Sequence, residues 1–372
     1  QPLVDDDAPS AGAAADAKAT STAAVLARAS ANLKAKQREE KKRGRRGRNE
    51  GDALSPRDPA KYGLASILVP VFVVLVFGGY VLGKAKTPKP KPGEFDLYAF
   101  GQLPLVEQGR VKPFDTLARN SLKIISGRQD FTDNDGVKQP AIRWLLDVMT
   151  SGEGDDKGNV AEKHKVFRIE NLEVQQLLGL KPRSGYRYAV EEFRGKIEEF
   201  NKQVERARKV DPSDRDILQR KLMELDGRIR TYTLLQASFR PPPLPEIPTR
   251  QEFEQDPAEA EKKLTELRMA VFQVAEQLKK MHAPLAVSTR LGKPEKDLEG
   301  KSPEDWEPYA VAWMRGYLGK TMLGQAPAVG TTSLNKILVD YANGEKADFN
   351  ADVKAYADLL QGASLPGVNL AK

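Results

Sequence analysis

The sequence predicts a mainly α-helical protein in which one transmembrane helix precedes a multi-helix domain. Two observations predict this fold class. Residues 63–83 form an uninterrupted uncharged run, and apolar residues recur at helical spacing through most of the chain after residue 94. A long antiparallel helical hairpin is expected over about residues 189–239, together with at most a small β-hairpin.

The positive charge of the chain is concentrated before the predicted domain. The 372 residues include 59 Lys and Arg against 52 Asp and Glu, which gives a formal net charge of +7. Residues 1–62 contribute +4 and residues 63–92 another +4, whereas residues 93–372 carry −1. A nucleic-acid-binding domain would show its basic bias on the folded part, so we expect no nucleic-acid partner.

The composition and the motif content argue against catalysis by this chain. It has no cysteine, which excludes disulfides, thiolate metal sites, Fe–S clusters and cysteine nucleophiles. Its two histidines, His164 and His282, are too far apart in sequence for a short metal-ligand motif. The sequence contains no P-loop, dinucleotide-binding or serine-hydrolase motif. We therefore expect no catalytic residues and no metal site.

The N-terminal tail and the apolar run that follows it differ in composition. Residues 1–60 are rich in Ala, Asp, Lys and Arg and are expected to form a disordered basic tail. The 21 residues 63–83 are uncharged and would extend about 31 Å as a helix, enough for the ~30 Å hydrocarbon core of a bilayer. A transmembrane helix is the preferred interpretation, and a buried core helix and a cleaved signal peptide are the alternatives.

Charges on either side of the apolar run predict its orientation. Six basic residues lie within about 19 residues on the N-terminal side and four on the C-terminal side. We therefore expect a single pass through the cytoplasmic (inner) membrane, a cytoplasmic N-terminus and an extracytoplasmic, periplasmic domain over residues 94–372. Residues 84–93 are expected to form a Lys/Pro-rich spacer near anionic lipid. The basic run over residues 34–48 fits this topology, with a nucleic-acid or partner-binding tail as its alternative.

Within the predicted domain, local signals place a hairpin and the helix that follows it. Residues 102–113 are expected to form a short hairpin that turns at Gln108–Gly109, where glycine supplies a positive φ. Pro113 is suited to open a helix and Gly127 to end it. The intervening helix has an apolar stripe formed by Phe114, Leu117, Ala118, Ser121, Leu122 and Ile125.

Longer helices are expected in the second half of the chain. The two arms of the helical hairpin are predicted over residues 189–209 and 214–239, with Asp214 as the N-cap of the second arm. A capping residue, a proline and two acids at residues 302–305 predict the start of another helix over Trp306–Leu323.

Basic residues around the short hairpin and the helix after it are candidates for binding an anion. Strand alternation places Arg110 and Lys112 on one face, and Arg119 and Lys123 are one helical turn apart. Together they would form a cationic corner suited to a carboxylate or a phosphate. Alternatively, Asp115 and neighbouring acids neutralise these groups locally.

The same segment carries a resemblance to a known family. Gly109–Arg119 (GRVKPFDTLAR), followed by Leu122–Gly127 (LKIISG), resembles the extracytoplasmic segment of system II (Ccs/Res-type) cytochrome c biogenesis proteins in versions that carry a large domain between membrane spans. Shorter similarities follow in the same order: LLGL at 177–180, YRYA at 186–189 and ILVDYANGEKADF at 337–349. The similarity covers about residues 94–245 and 333–361.

The resemblance implies a role in attaching haem to Cys-x-x-Cys-His apocytochromes outside the cytoplasmic membrane. The implied partners are the membrane, apocytochrome c, and a polytopic synthase subunit or further spans of the same protein. The family's Trp-rich haem loop and ligating histidines do not carry over, so haem would reach this chain only through the complex. Arg110, Lys112 and Arg119 are candidates for contacting a haem propionate. His164 and His282 are candidate iron ligands, with a surface or capping role as the alternative.

Two functional hypotheses follow. The first is a membrane-anchored component of system II cytochrome c maturation that positions apocytochrome or partner synthase spans for haem attachment. It would be an accessory domain or the N-terminal piece of a longer synthase. The alternative is a single-pass membrane scaffold or interaction protein unrelated to cytochromes, with the long helical hairpin as its docking surface.

Overall fold

The computed structural model describes residues 65–85, 90–151, 159–292, 305–363 and 365. The predicted tail over residues 1–60 and the start signal at residues 302–304 lie outside the described residues. The chain separates into two compact units, residues 1–86 and residues 87–372.

In the first unit the structure describes one apolar helix, α1 (Ala65–Ala85). The described residues include no helix that is both long enough and apolar enough to cross a membrane. The predicted transmembrane helix over residues 63–83 is therefore wrong. The predicted spacer over residues 84–93 also begins too early, because α1 continues to Ala85.

The first half of the second unit consists of short helices and strands. Its elements are α2 (Leu97–Gln102), β1 (Pro104–Glu107), β2 (Arg110–Pro113), α3 (Phe114–Ser126), β3 (Asp130–Thr132), β4 (Lys138–Pro140), α4 (Ala141–Met149), α5 (Val160–Lys163), β5 (Phe167–Arg168), α6 (Leu172–Leu177) and β6 (Arg187–Tyr188).

The second half is dominated by longer helices, in agreement with the mainly helical prediction. Its elements are α7 (Val190–Phe193), a 3₁₀ turn (Arg194–Lys196), α8 (Ile197–Arg208), α9 (Ile217–Phe239), α10 (Arg250–Gln255), α11 (Pro257–Lys280), β7 (Val287–Ser288), β8 (Trp306–Glu307), α12 (Tyr309–Leu323), α13 (Val329–Asn343) and α14 (Lys346–Gly362).

The β structure is more extensive than the single small hairpin that was expected. In the described part of the chain, β1–β2, β3–β4, β5–β6 and β7–β8 each form a separate two-stranded antiparallel sheet. Strands of two or three residues carry no alternating pattern long enough to recognise. Two of these pairs also join segments well separated in sequence, Phe167 with Tyr188 and Val287 with Glu307.

The first hairpin and its following helix form where the sequence places them. Glu107 pairs with Arg110, and both turn residues have positive φ, 52° at Gln108 and 73° at Gly109. Positive φ at both central residues is the geometry of a tight two-residue hairpin turn. Helix α3 then buries the predicted apolar stripe and ends at Gly127, whose φ is 74°.

The helical hairpin is present, but both arms differ from the prediction. The first arm is broken into α7, a 3₁₀ turn and α8, so the continuous helix over residues 189–209 is wrong. The second arm begins at Ile217 with Asp216 as its N-cap, and Asp214 lies outside it. Arg208 of the first arm donates to Asp226 of the second at 2.8 Å.

The predicted helix over Trp306–Leu323 also begins late. Trp306 and Glu307 pair with the strand β7, and the helix starts at Tyr309 after Pro308. Backbone pairing with a distant strand therefore overrides the local capping signal.

Aromatic rings form the centre of the core in the second unit. Phe349, in the first turn of α14, is fully buried and packs edge-on against Phe95 with 5.0 Å between ring centroids. Phe100 lies 5.9 Å from Phe349 and 5.0 Å from Phe114. Phe114 in turn lies 5.9 Å from Phe239. This chain of contacts joins α2, α3, α9 and α14 around one core.

A pair of carboxylates lies where α13 packs on α14. Burial raises the pKa of Asp340 to about 6, and the negative charge of Asp352 adds to the rise. Lys336 lies 3.7 Å from Asp352 and offsets only part of this repulsion. Since the native state binds the Asp340 proton more tightly than the unfolded chain does, stability falls as pH rises from about 4 to about 6.

Asp340→Asn is therefore expected to stabilise the protein at pH 7.5 and to change little at pH 4.5. The gain at pH 7.5 should be on the order of 1 kcal/mol, because solvent screens a partly exposed group. Urea unfolding at the two pH values measures it. Asp358→Asn is the control, since the exposed carboxylate of Asp358 pairs with Lys354 at 2.8 Å and should give no gain. Equal gains at both pH values would contradict the assignment.

Candidate functional site

Helix α3, whose first turns belong to the family-like segment, borders a cavity of about 300 Å³. The cavity has mostly apolar walls and one ion pair. Its lining residues are Pro90, Phe95, Asp96, Leu97, Tyr98, Gly101, Gln102, Asp115, Arg119, Pro140 and Ile142. A Cβ at Gly101 would lie 3.1 Å from the Cβ of Asp115, so glycine at this position permits the close approach of α2 and α3 beside the cavity.

Arg119 and Asp115 form the polar part of the cavity wall. Nε of Arg119 donates to Oδ2 of Asp115 at 2.6 Å, one helical turn away on α3. The Arg119 side chain is 52% exposed and that of Asp115 is 26% exposed. An exposed ion pair of this kind contributes at most about 1 kcal/mol, so its guanidinium can exchange partners at small cost.

The other predicted cations lie apart from this cavity. Lys112 donates to Glu107 at 2.8 Å across the hairpin and lines an open depression of about 410 Å³. Arg110 is exposed and has no ion-pair partner among the described residues. Arg119 and Lys112 therefore line different depressions, and each is paired with a nearby acid, as the alternative interpretation expected.

His164 is buried, so the interpretation of a surface role is wrong for it, whereas its backbone caps α5, because its N–H donates to the carbonyl of Ala161 at 3.4 Å. Its side chain is 4% exposed and its ring lies 4.6 Å from that of Phe131. Nε2 of His164 lies 2.7 Å from Oδ2 of Asp147, and the hydroxyl of Tyr341 donates to Oδ1 of the same carboxylate at 2.7 Å. The three side chains form a buried hydrogen-bonded chain.

The carboxylate of Asp147 is the central member of this series of hydrogen bonds. Nε2 of His164 and Oδ2 of Asp147 share one hydrogen bond, and the tautomer of the ring decides which atom donates it. Nδ1 of His164 is buried and has no hydrogen-bond partner among the described residues. Burial raises the pKa of Tyr341 well above its usual range, and the negative charge of Asp147 adds to the rise. Tyr341 therefore stays protonated and donates to Asp147.

His282 lies on the surface directly after α11. It is exposed and has a φ of 55°, and its backbone N–H donates to the carbonyl of Lys279 at 3.1 Å. A residue with left-handed backbone conformation commonly ends a helix, although Gly or Asn more often takes this position. The backbone of His282 therefore helps to cap α11, and its side chain lies on the surface.

Neither candidate iron ligand lies at the 300 Å³ cavity. Nε2 of His164 is occupied by Asp147, and His282 stands alone on the surface. The residues that line the 300 Å³ cavity include no histidine or methionine. Within the described ranges there is also no cluster of three or more His, Cys, Asp or Glu side chains able to hold a metal ion.

Comparison with protein-family models finds no match to this chain, and none of the curated proteins matches it. The likeness to system II cytochrome c biogenesis proteins therefore depends on the sequence segments alone.

Sequence reasoning missed the buried chain of His164, Asp147 and Tyr341. These residues are separated by 17 and 194 positions, and nothing in their local sequence connects them. The hydrophobic run around Asp147 (IRWLLDVM) is the one available signal, because a single acid among buried helix positions requires partners.

Proposed function

We propose that this chain is a non-catalytic component of system II cytochrome c maturation that positions apocytochrome or partner synthase spans for haem attachment. The observation that carries the proposal is the placement of the family-like segment. Gly109–Arg119 comprises the second turn residue, strand β2 and the first helical turns of α3, and its Arg119 lines the 300 Å³ cavity. The segment thus combines a rigid support with an accessible cation.

The cavity suits a partner's side chain that is apolar with an acidic neighbour. Its volume is at the lower end of the range of about 300–1,000 Å³ for small-molecule sites. Phe95, Leu97 and Tyr98 supply apolar and aromatic contact, and Arg119 supplies a carboxylate partner once it leaves Asp115. A planar guanidinium binds carboxylates through two parallel hydrogen bonds.

Haem enters this proposal only as a group held by the partner. Its propionates would meet the chain at Arg119, with Lys112 and Arg110 as the further candidates. The proposed site of action is the outer side of the cytoplasmic membrane, beside a polytopic synthase. It does not require this chain to cross the bilayer.

The test is the c-type cytochrome content of a deletion strain of the native host, complemented with wild type or variants. We expect holocytochrome c to be lost in the deletion strain and to stay low with Arg119→Ala, because the cavity then lacks its cation. Arg250→Ala is the matched control, since Arg250 pairs with Glu254 one helical turn away on α10 and lies far from this segment in sequence. Intact holocytochrome c in the deletion strain would overturn the proposal.

A haemin titration of the full chain addresses the propionate contact separately. We expect weak or no binding by the isolated chain, and binding that depends on Arg119 when the synthase partner is present. Binding unaffected by Arg119→Ala would remove Arg119 as the contact.

The second candidate function is a scaffold or interaction protein unrelated to cytochromes. The observation that favours it is Ile217, which is 66% exposed at the bend of the α8–α9 hairpin. Affinity purification from native cells distinguishes the two functions. Recovery of a polytopic synthase supports the first, and its absence together with intact cytochromes supports the second.

A further inference from the structure

A cationic surface surrounds the C-terminal end of α3, and the proposed function does not use it. We define the Lys123 surface by Lys123, Ile124 and Arg128. Lys123 lines two open depressions at once. One, of about 410 Å³, includes Lys112 and Ile124, and the other, of about 420 Å³, includes Arg128 and Lys138.

The acids of both depressions are already paired. Glu107 accepts from Lys112 at 2.8 Å, and Asp130 lies 3.0 Å from Lys138. Lys123 and Arg128 are exposed and have no side-chain hydrogen bond or ion pair within the described ranges. The surface therefore carries two positive charges that no acid of the described chain neutralises.

Capping of the helix does not account for these two cations. Arg187 already serves the end of α3, because it donates to the carbonyl and the hydroxyl oxygen of Ser126 at 2.8 and 3.0 Å. Burial and the positive charges of Arg128 and Arg168 lower the pKa of Arg187, which shows how closely these charges are placed. Lys123 and Arg128 are therefore available to an anionic partner.

An exposed apolar side chain lies beside Lys123. Ile124 is 55% exposed and lines the same depression as Lys123 and Lys112. Protein interfaces combine apolar residues with polar ones around them. Both depressions are open, whereas small-molecule sites enclose most of the ligand. Two unpaired cations are also too few for the many phosphate contacts of nucleic-acid binding.

We propose that the Lys123 surface docks an acidic segment of a partner protein, whose carboxylates meet Lys123 and Arg128 while an apolar side chain covers Ile124. Charge complementarity selects this partner. The inference goes beyond the proposed function and holds whether or not the chain acts in cytochrome maturation.

The test uses the full chain and a fluorescein-labelled peptide of alternating Glu and Leu, with binding followed by fluorescence anisotropy at low salt. We expect saturable binding that weakens with added salt. The double variant K123E/R128E should weaken it by about tenfold or more, and Ile124→Ala by several-fold. A peptide with Gln in place of Glu should not bind.

The matched control is K279E/K280E, which reverses two exposed cations in the last turn of α11. It makes the same charge change at another helix C-terminus and should leave binding unchanged. No saturable binding by wild type, or equal loss in both double variants, would overturn the proposal. Anionic phospholipid vesicles form a separate arm. Binding to vesicles that depends on Lys123 and Arg128, without peptide binding, would assign the surface to a membrane and also overturn it.

Discussion

Asp147→Ala is expected to lower the free energy of unfolding by about 3–5 kcal/mol, the cost of removing one partner from a buried charged network. The change removes the hydrogen-bond partner of the Tyr341 hydroxyl and of Nε2 of His164 in the protein interior. An unsatisfied buried polar group costs about 1–3 kcal/mol by itself. Urea unfolding followed by far-UV circular dichroism measures the loss.

Two further variants separate this network from a general effect of losing a carboxylate. Asp147→Asn keeps an acceptor oxygen of similar size and should recover part of the stability, because one of the two hydrogen bonds can still form. Asp358→Ala removes an exposed acid from α14 and should cost less than about 1 kcal/mol. A loss below about 1 kcal/mol for Asp147→Ala would show that the three side chains do not act as a buried unit.

The parts of the fold that were predictable from the sequence have their causes within a few neighbouring residues. The turn at Gln108–Gly109 needs two positive φ angles, and glycine is the residue that permits them most easily. Helix α3 has a regular apolar stripe and a glycine at its end. In both cases the local preference and the buried face of the final structure agree.

The parts that could not be predicted depend on contacts between distant segments. Trp306 joins a strand because β7 supplies backbone partners, although its own sequence favours a helix start. The first hairpin arm breaks at Arg194–Lys196, where the apolar spacing continues and gives no sign of a 3₁₀ turn.

In the candidate site, too, contacts between neighbouring residues were predictable and contacts between distant segments were not. The sequence identified Arg119 and its competing acid Asp115, because residues four apart on a helix are neighbours. It could not place Arg119 at a cavity, since Phe95 and Pro140 reach that cavity from other elements. The charged neighbours of His164 suggested a surface or capping role, yet the alternating burial of residues 163–166 turns its ring inward toward Asp147.

Phe349→Ala is the second change with a large expected effect, a loss of about 3–5 kcal/mol, because the cavity it leaves is lined by rings that cannot all move inward. Phe349 is 0% exposed and lies 5.0 Å from Phe95, 5.9 Å from Phe100 and 5.8 Å from Tyr341, measured between ring centroids. Leu359→Ala, at a position of α14 that is 43% exposed, is the matched control and should cost less than about 1 kcal/mol. Comparable losses in the two variants would contradict the packing described for α14.

The double variant Phe349→Ala/Asp147→Ala tests whether the aromatic core and the buried polar chain are one structure. Tyr341 belongs to both, since its ring packs on Phe349 and its hydroxyl donates to Asp147. Once either partner is lost, Tyr341 is held less firmly, and the second change then removes a weaker interaction. We therefore expect the double variant to lose less free energy of unfolding than the sum of the two single losses. The difference should be about 0.5–3 kcal/mol, the range of coupling for residues that share a partner. Full additivity would mean that α13 is fixed independently by each contact. Coupling in the expected range would mean that Tyr341 is the point at which the C-terminal helices are joined to α4.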